Sequence, residues 1–224
     1  LKHMHKHIKD PHKRSALTPD YPMGCKRVLI SNNYYPAMAD DKVTLVTEVI
    51  ERVVADGVQT RDGQTYPADV LIYGTGFAAT EFLSPMQITG LHGQDLNQTW
   101  QSGAEAYKGI CISGFPNLFM LYGPNTNLGH NSIIYMLESQ FRYISQCLQT
   151  LKRRRLRYIN VRTEAQSSYN QRIQHAAKRT VWAQGCSSWY LTAEGKQTVN
   201  WPGFTFAYRH LTRKPRLSDY DCVR

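Results

Sequence analysis

The sequence predicts an α/β or α+β layered domain, with a β meander, central buried strands and one long helix. Three observations lead there. Tight glycine turns punctuate residues 43–66, apolar runs at 69–73 and 117–122 each end at a glycine, and residues 133–152 carry apolar side chains at helical spacing.

Residues 1–8 read as the end of a helix that Asp10-Pro11 breaks. Pro19 and Pro22 force residues 18–23 into an extended or turned path. Residues 27–30 are a short apolar run of β character, ended by the turn chemistry of Ser31-Asn32-Asn33. The meander follows, with strands at 43–47, 49–55, 58–61 and 64–66. Asp56-Gly57 and Asp62-Gly63 turn the last three into hairpins. Residues 69–73 are continuously apolar after Asp69 and stop at Gly74, as a strand buried on both faces does. The stretch 82–114 is rich in Gly, Gln and Asn, with room only for short pieces.

In the long helix, Ile133, Leu137, Phe141, Ile144, Leu148 and Leu151 predict the buried face. Asn131 or Ser132 is the N-cap, and Lys152 to Arg155 complement the negative end of the dipole. Thr163-x-x-Gln166 has capping-box form. It opens a second helix over 164–182 with Tyr169, Ile173 and Ala177 on one face. From Gly185 the tail reads as aromatic loop.

The chain has 224 residues, is 42% hydrophobic and 20% charged, and carries a net charge of +10, which predicts a globular protein with an anionic partner. No apolar run approaches the roughly 20 residues of a membrane span. The basic, His-rich first 14 residues lack the apolar core of a signal peptide. Cys25, Cys111, Cys147, Cys186 and Cys222 are odd in number and widely spaced, which suggests neither a disulfide framework nor a zinc site and fits a reducing cytoplasm. His3, His5, His7 and His12 lack a completing carboxylate or cysteine, so no metal site is expected. The basic run 152–157 sits at a helix end, where cations are expected anyway, and no groove-reading motif accompanies it.

Three segments carry candidate chemistry. Gly74-Thr75-Gly76-Phe77-Ala78-Ala79 formally matches a dinucleotide fingerprint. Pro85 interrupts the helix that should follow, so a strand-ending turn is the better reading. The polar loop 123–132 joins a strand to the long helix, whose first N–H groups and partial positive charge suit a phosphate or the electron-rich edge of a flavin. Lys26-Arg27 form a cationic pair able to grip a phosphate.

These pieces, with Leu17-Thr-Pro-Asp-Tyr-Pro-Met-Gly-Cys-Lys-Arg27, Asn33-Tyr-Tyr-Pro36, Asp69-Val-Leu-Ile-Tyr-Gly-Thr-Gly-Phe77, Phe115-Pro-Asn-Leu-Phe119, Gly123-Pro-Asn-Thr-Asn-Leu-Gly-His130, Thr180-Val-Trp182, Cys186-Ser-Ser-Trp-Tyr190 and Trp201-Pro-Gly203, resemble in order the C-terminal portion of Baeyer–Villiger monooxygenases. The resemblance implies the C-terminal part of a flavoprotein with two dinucleotide-binding domains. Residues 1–35 would end the NADPH domain, 36–152 form half of the FAD domain, and 153–224 form a helical and aromatic tail. The implied reaction uses FAD, NADPH and O2 to convert a ketone to an ester or lactone.

By the same resemblance, Lys26 contacts the NADPH 2′-phosphate, and Arg27 stabilises negative charge that develops at the flavin. Gly74, Thr75, Gly76 and Phe77 form the turn where the cofactor domains meet. Asn131, Ser132 and Ile133 lie against the flavin ring, and Leu128, Gly129 and His130 border the substrate pocket. Tyr73 and Gly74 depart from the family's usual alanine-threonine at this turn. Its two GxGxxG loops and its F-x-G-x-x-x-H-x-x-x-W signature do not occur in these residues, so a truncated chain, inactive and weak in FAD binding, is expected. The alternatives are a fragment that oxidises nitrogen or sulfur, a basic binding module without catalysis, and a non-functional remnant.

Overall fold

A computed structural model describes residues 1–185 and 188–224. They form two compact units: residues 1–21 with 29–77, and residues 22–28 with 78–224.

The first unit begins with α1 (Lys2–His7) and α2 (Pro11–Leu17). Asp10-Pro11 breaks one helix by starting the next: the Asp10 side chain caps the His12 N–H while Pro11 occupies the first turn. The Ser31 hydroxyl accepts from the N–H groups of Asn33 and Tyr34 and leads into α3 (Tyr34–Ala39). Lys13 ties α2 to the end of α3 by donating to the carbonyls of Met38 and Val43.

The meander is an antiparallel sheet of β1 (Ile50–Val54), β2 (Gly57–Thr60) and β3 (Thr65–Pro67). Both predicted hairpins form, with Val54 opposite Gly57 and Gln59 opposite Thr65. At Gly57 a Cβ would stand 2.0 Å from the Tyr66 carbonyl oxygen, so only glycine fits that crossing.

Three predicted strands are absent. Residues 43–47, 27–30 and 69–73 have no strand pairing, and the apolar side chains of the last two point to solvent: Ile30 is 98% exposed and Ile72 92%. Their sequences suit a central strand, but a central strand requires hydrogen-bonding neighbours on both sides, and the described residues provide none.

In the second unit, residues 82–114 hold a turn of 3₁₀ helix at Leu91–Gly93 and the short α4 (Leu96–Thr99), capped by Asp95. A small antiparallel pair follows, β4 (Cys111–Ile112) with β5 (Phe115–Phe119). Then come α5 (Ile133–Arg154), β6 (Tyr158–Val161), α6 (Thr163–Ala177), α7 (Thr205–Leu211) and β7 (Tyr220–Val223). β6 pairs antiparallel with β7, Tyr158 opposite Val223 and Val161 opposite Tyr220. α7 and β7 lie in the stretch read as loop, a second departure from the sequence expectation.

α5 begins and ends close to its predicted limits but buries a different face. Met136, Gln140, Tyr143 and Cys147 are inside, while Phe141 and Leu148 are exposed. The core it meets is built of tyrosines whose hydroxyls need partners, and the apolar stripe alone cannot supply them. Tyr143 and Tyr220 share a hydrogen bond of 2.6 Å, and the Gln140 amide donates to Tyr208.

The capping box of α6 is not made either. Thr163 bonds the Ser113 hydroxyl and Gln166 accepts from the Ser113 N–H, fixing the β4–β5 turn to the helix start instead. Tyr169, Ile173 and Ala177 are buried as expected. Cys111, Cys147 and Cys222 are free thiols, whereas Cys25 is disulfide-bonded, a departure from the sequence expectation.

Candidate functional site

The loop between β5 and α5 is the best-organised candidate. Residues 123–128 are buried, and 129–132 are exposed. The buried half is stapled to residues 197–201. Asn125 N–H donates to the Thr198 carbonyl (2.7 Å), Asn127 N–H to Val199 (3.0 Å), and Trp201 N–H to Asn127 (2.9 Å). Side chains repeat the staple: Asn127 Nδ2 donates to Asn200 Oδ1 at 2.6 Å, and Tyr122 Oη donates to Asn127 Oδ1 at 2.6 Å.

Gly109 passes so close to the loop that a Cβ there would lie 2.2 Å from the Thr126 methyl. Leu128 is 2% exposed and belongs to the core. A rigid buried half thus presents a polar exposed half: Gly129, His130, Asn131 and Ser132.

Asn131 is anchored by donating to Thr205 Oγ1 at 3.1 Å, and it accepts from the Ser132 N–H at 2.7 Å. Ser132 is the N-cap of α5, but its side chain caps nothing, so the first N–H groups of a 22-residue helix are left available. Ile133 opens that helix half-buried. An acceptor with negative character fits this terminus, as the electron-rich edge of a flavin would.

Arg27 belongs to the same unit and is exposed. Its charge acts on Tyr122 and Tyr190, partly offsetting the desolvation that raises both phenols above their ordinary value. Lys26 beside it is exposed and engaged with other groups. Trp182 and Trp189 flank Tyr190, with ring centroids at 6.1 and 4.3 Å. Cys186 and Ser187 of that aromatic motif lie outside the described residues.

Lys26, Arg27, Leu128, Gly129, His130, Asn131, Ser132 and Ile133 therefore share the second unit. Gly74, Thr75, Gly76 and Phe77 belong to the first, as a run without regular secondary structure in which Gly76 has φ +86° and Phe77 is 96% exposed. Among the described residues no cluster of three metal-ligating side chains exists, and no helix is long and apolar enough to cross a membrane. The sequence reading missed Tyr122, Gln197 and Asn200. Their only signal was an unusual density of amide side chains around the Gly123-Pro124 and Trp201-Pro202 turns.

No family model matches the chain. Curated relatives do. A Baeyer-Villiger monooxygenase of Pseudomonas aeruginosa is 46% identical over 222 residues, 98% of this chain and 42% of that protein. One of Streptomyces coelicolor is 42% identical over 219 residues, again covering 42% of that protein. The FAD-binding monooxygenase ktnD of Aspergillus niger is 42% identical over 216 residues, 35% of its length. Among solved structures, an oxidised steroid monooxygenase bound to NADP matches with TM-score 0.87 and 26% identity, covering all of this chain and 44% of that one. A complex of OTEMO with FAD and NADP matches with TM-score 0.86 and 28% identity, covering 99% and 43%. The chain thus spans less than half the length of these proteins and corresponds to their C-terminal part.

Proposed function

We propose that this chain is the C-terminal portion of a Baeyer–Villiger-type monooxygenase, forming one wall of a site that uses FAD, NADPH and O2 on a ketone. The observation that carries this reading is the 46% identity to the Pseudomonas aeruginosa protein across 98% of the chain. The overall reaction inserts one oxygen atom of O2 between the carbonyl carbon and a neighbouring carbon. The other oxygen leaves as water, and NADPH supplies the two electrons. FAD, when bound, supplies the oxygen-activating chemistry.

The chain's own residues bind and orient. The uncapped N–H groups of the first turn of α5, from Ile133 on, would hold the flavin's electron-rich edge, with Ser132 at the N-cap and its N–H held by the anchored Asn131. Gly129, His130 and buried Leu128 would shape the substrate side. Arg27 would place a cation where negative charge develops, close enough to the partly desolvated phenols of Tyr122 and Tyr190 for its charge to act on both. Lys26 is assigned the NADPH 2′-phosphate, and Gly74, Thr75, Gly76 and Phe77 a cofactor-facing turn. Residues 1–35, 36–152 and 153–224 would divide between the NADPH domain, the FAD domain and the tail. The exposed apolar runs at 27–30 and 69–73 support the remainder of the protein as their covering partner.

The purified chain mixed with FAD and desalted is expected to lose its visible flavin absorbance. Co-expression with the part of the Pseudomonas aeruginosa relative that this chain lacks should restore flavin retention and ketone-dependent NADPH oxidation. In that complex, Arg27→Ala should keep the flavin and lose about a hundredfold or more in ester formation. Flavin retained by the chain alone would refute weak FAD binding, and ketone-dependent NADPH oxidation by that chain would refute the inactive-fragment reading. Undiminished ester formation by the Arg27→Ala complex would refute the role given to that arginine.

A further inference from the structure

Away from the loop and Arg27, the second unit holds a cavity of about 700 Å³ between α6 and the segment that follows α7. Its wall carries five basic side chains: Lys108, Arg172, Arg213, Lys214 and Arg216. None of the five is in an ion pair among the described residues. The one acid on the wall, Asp219, accepts a 2.6 Å hydrogen bond from Tyr107.

Lys108 is the unusual member, because it is only 3% exposed. Its ammonium lies 4.9 and 4.7 Å from the ring centres of Tyr107 and Tyr143, and it makes no hydrogen bond among the described residues. The backbone there is left-handed, φ +58°, held by Tyr208 donating to the Lys108 carbonyl at 2.7 Å. Tyr169 lines the same cavity, and its buried hydroxyl has no partner. Buried charges are normally paired, and an anion in the cavity would give the Lys108 ammonium the partner that the ring faces do not. Of the remaining wall, Trp201, Ile173 and Leu211 are apolar, while Ser168 and His210 add polar groups.

We propose that this cavity is a binding site for a phosphate group, free or carried as an ester on a small apolar body. Lys108 provides the buried point charge, and Arg172 and Arg216 provide guanidinium donors from two sides. The site is independent of the flavin reading, since Lys26 and Arg27 take no part in it.

Isothermal titration of the full chain with inorganic phosphate and with phenyl phosphate tests it. Saturable one-to-one binding is expected. Tenfold tighter binding of phenyl phosphate would identify an ester, and equal affinities would identify free phosphate; both uphold the site. Lys108→Met and Arg172→Gln should each weaken binding about tenfold or more. Arg153→Gln, at the exposed end of α5, should change it less than twofold. Absence of saturable binding at millimolar phosphate would overturn the proposal. So would equal weakening by Arg153→Gln and Arg172→Gln, which would mean that net charge alone attracts the anion.

Discussion

Replacing Lys108 with methionine should make the chain more stable at neutral pH, with a melting temperature raised by roughly 5 °C. Burial pulls the Lys108 ammonium down from 10.5 to about 8, against smaller opposing effects from Asp219, Cys111 and Cys147 and a reinforcing one from Arg216. That displacement corresponds to about 3 kcal/mol against the charged folded form. The faces of Tyr107 and Tyr143 return about 1 to 2 kcal/mol of it. The net of about 2 kcal/mol shifts the melting point of a chain this size by about 4–8 °C. Methionine keeps the volume and the same left-handed φ, so the difference isolates the charge.

The sign of the pH dependence follows. A lysine whose folded pKa is lowered carries its full penalty below pH 8 and sheds it as pH rises from 8 to 10.5. The advantage of Lys108→Met should therefore shrink across that window. Cys111, pushed up to about 12 by burial, and Cys147, also raised by burial, are both held down a little by the Lys108 charge, so losing that charge raises them further, an effect smaller than the lysine's own. Calorimetric scans at pH 7 and pH 10 check this. A variant that melts below the parent at pH 7 would show that the rings and Asp219 compensate the charge fully. A variant both more stable and unable to hold phosphate would mark Lys108 as a residue kept for binding at the expense of the fold.

The parts of the fold legible in the sequence are those set by neighbours in the chain. The two Asp-Gly pairs mark their hairpins locally: Ala55-Asp56 make the first turn, with Gly57 already the first residue of β2, and Arg61 to Gly63 make the second loop, where Gly63 takes the left-handed φ of +85°. The long helix was legible from period and capping alone. Its buried face was not, because Gln140 and Tyr143 are inside for hydroxyl and amide partners that arrive from α7 and β7. Residues 27–30 and 69–73 read as strands because side-chain type reports suitability for a sheet, whereas a strand exists only when another backbone lies beside it. The site divides the same way. Arg27 and the 123–132 loop stood out as ordered motifs resembling a family. The staple from Gln197 to Trp201 and the buried Lys108 rest on contacts across tens of residues, which leave no local pattern.

Gln197→Leu should be the most damaging single change near the loop, lowering the melting temperature by roughly 10 °C. Gln197 is 3% exposed, and its Oε1 accepts from Val199 N–H at 2.8 Å, Asn200 N–H at 3.0 Å and Asn125 Nδ2 at 3.0 Å. Its Nε2 donates to the Asn200 carbonyl at 3.1 Å. Leucine has nearly the same volume, so packing changes little, but three buried donors lose an acceptor at once. Asn125 keeps a second acceptor in the Gln197 carbonyl at 2.9 Å. The two backbone N–H groups keep none, and each stranded donor costs about 1–3 kcal/mol. A total of about 3–5 kcal/mol, at about 2–4 °C per kcal/mol, gives the expected drop.

Asn200→Ala is the instructive contrast. Asn200 Nδ2 already lacks a partner, and Oδ1 serves only Asn127 Nδ2, so removing it should cost about 1–2 kcal/mol. Because Gln197 holds Asn125 and Asn200 together, its loss should also free the loop. Amide exchange over 123–132 should accelerate by more than tenfold, while the C-terminal turns of α5 keep their protection. Equal melting of Gln197→Leu and Asn200→Ala would mean that the backbone bonds between 125–127 and 198–201 carry the staple unaided. In that case the fixed position of Asn131 and the helix start would owe nothing to Gln197.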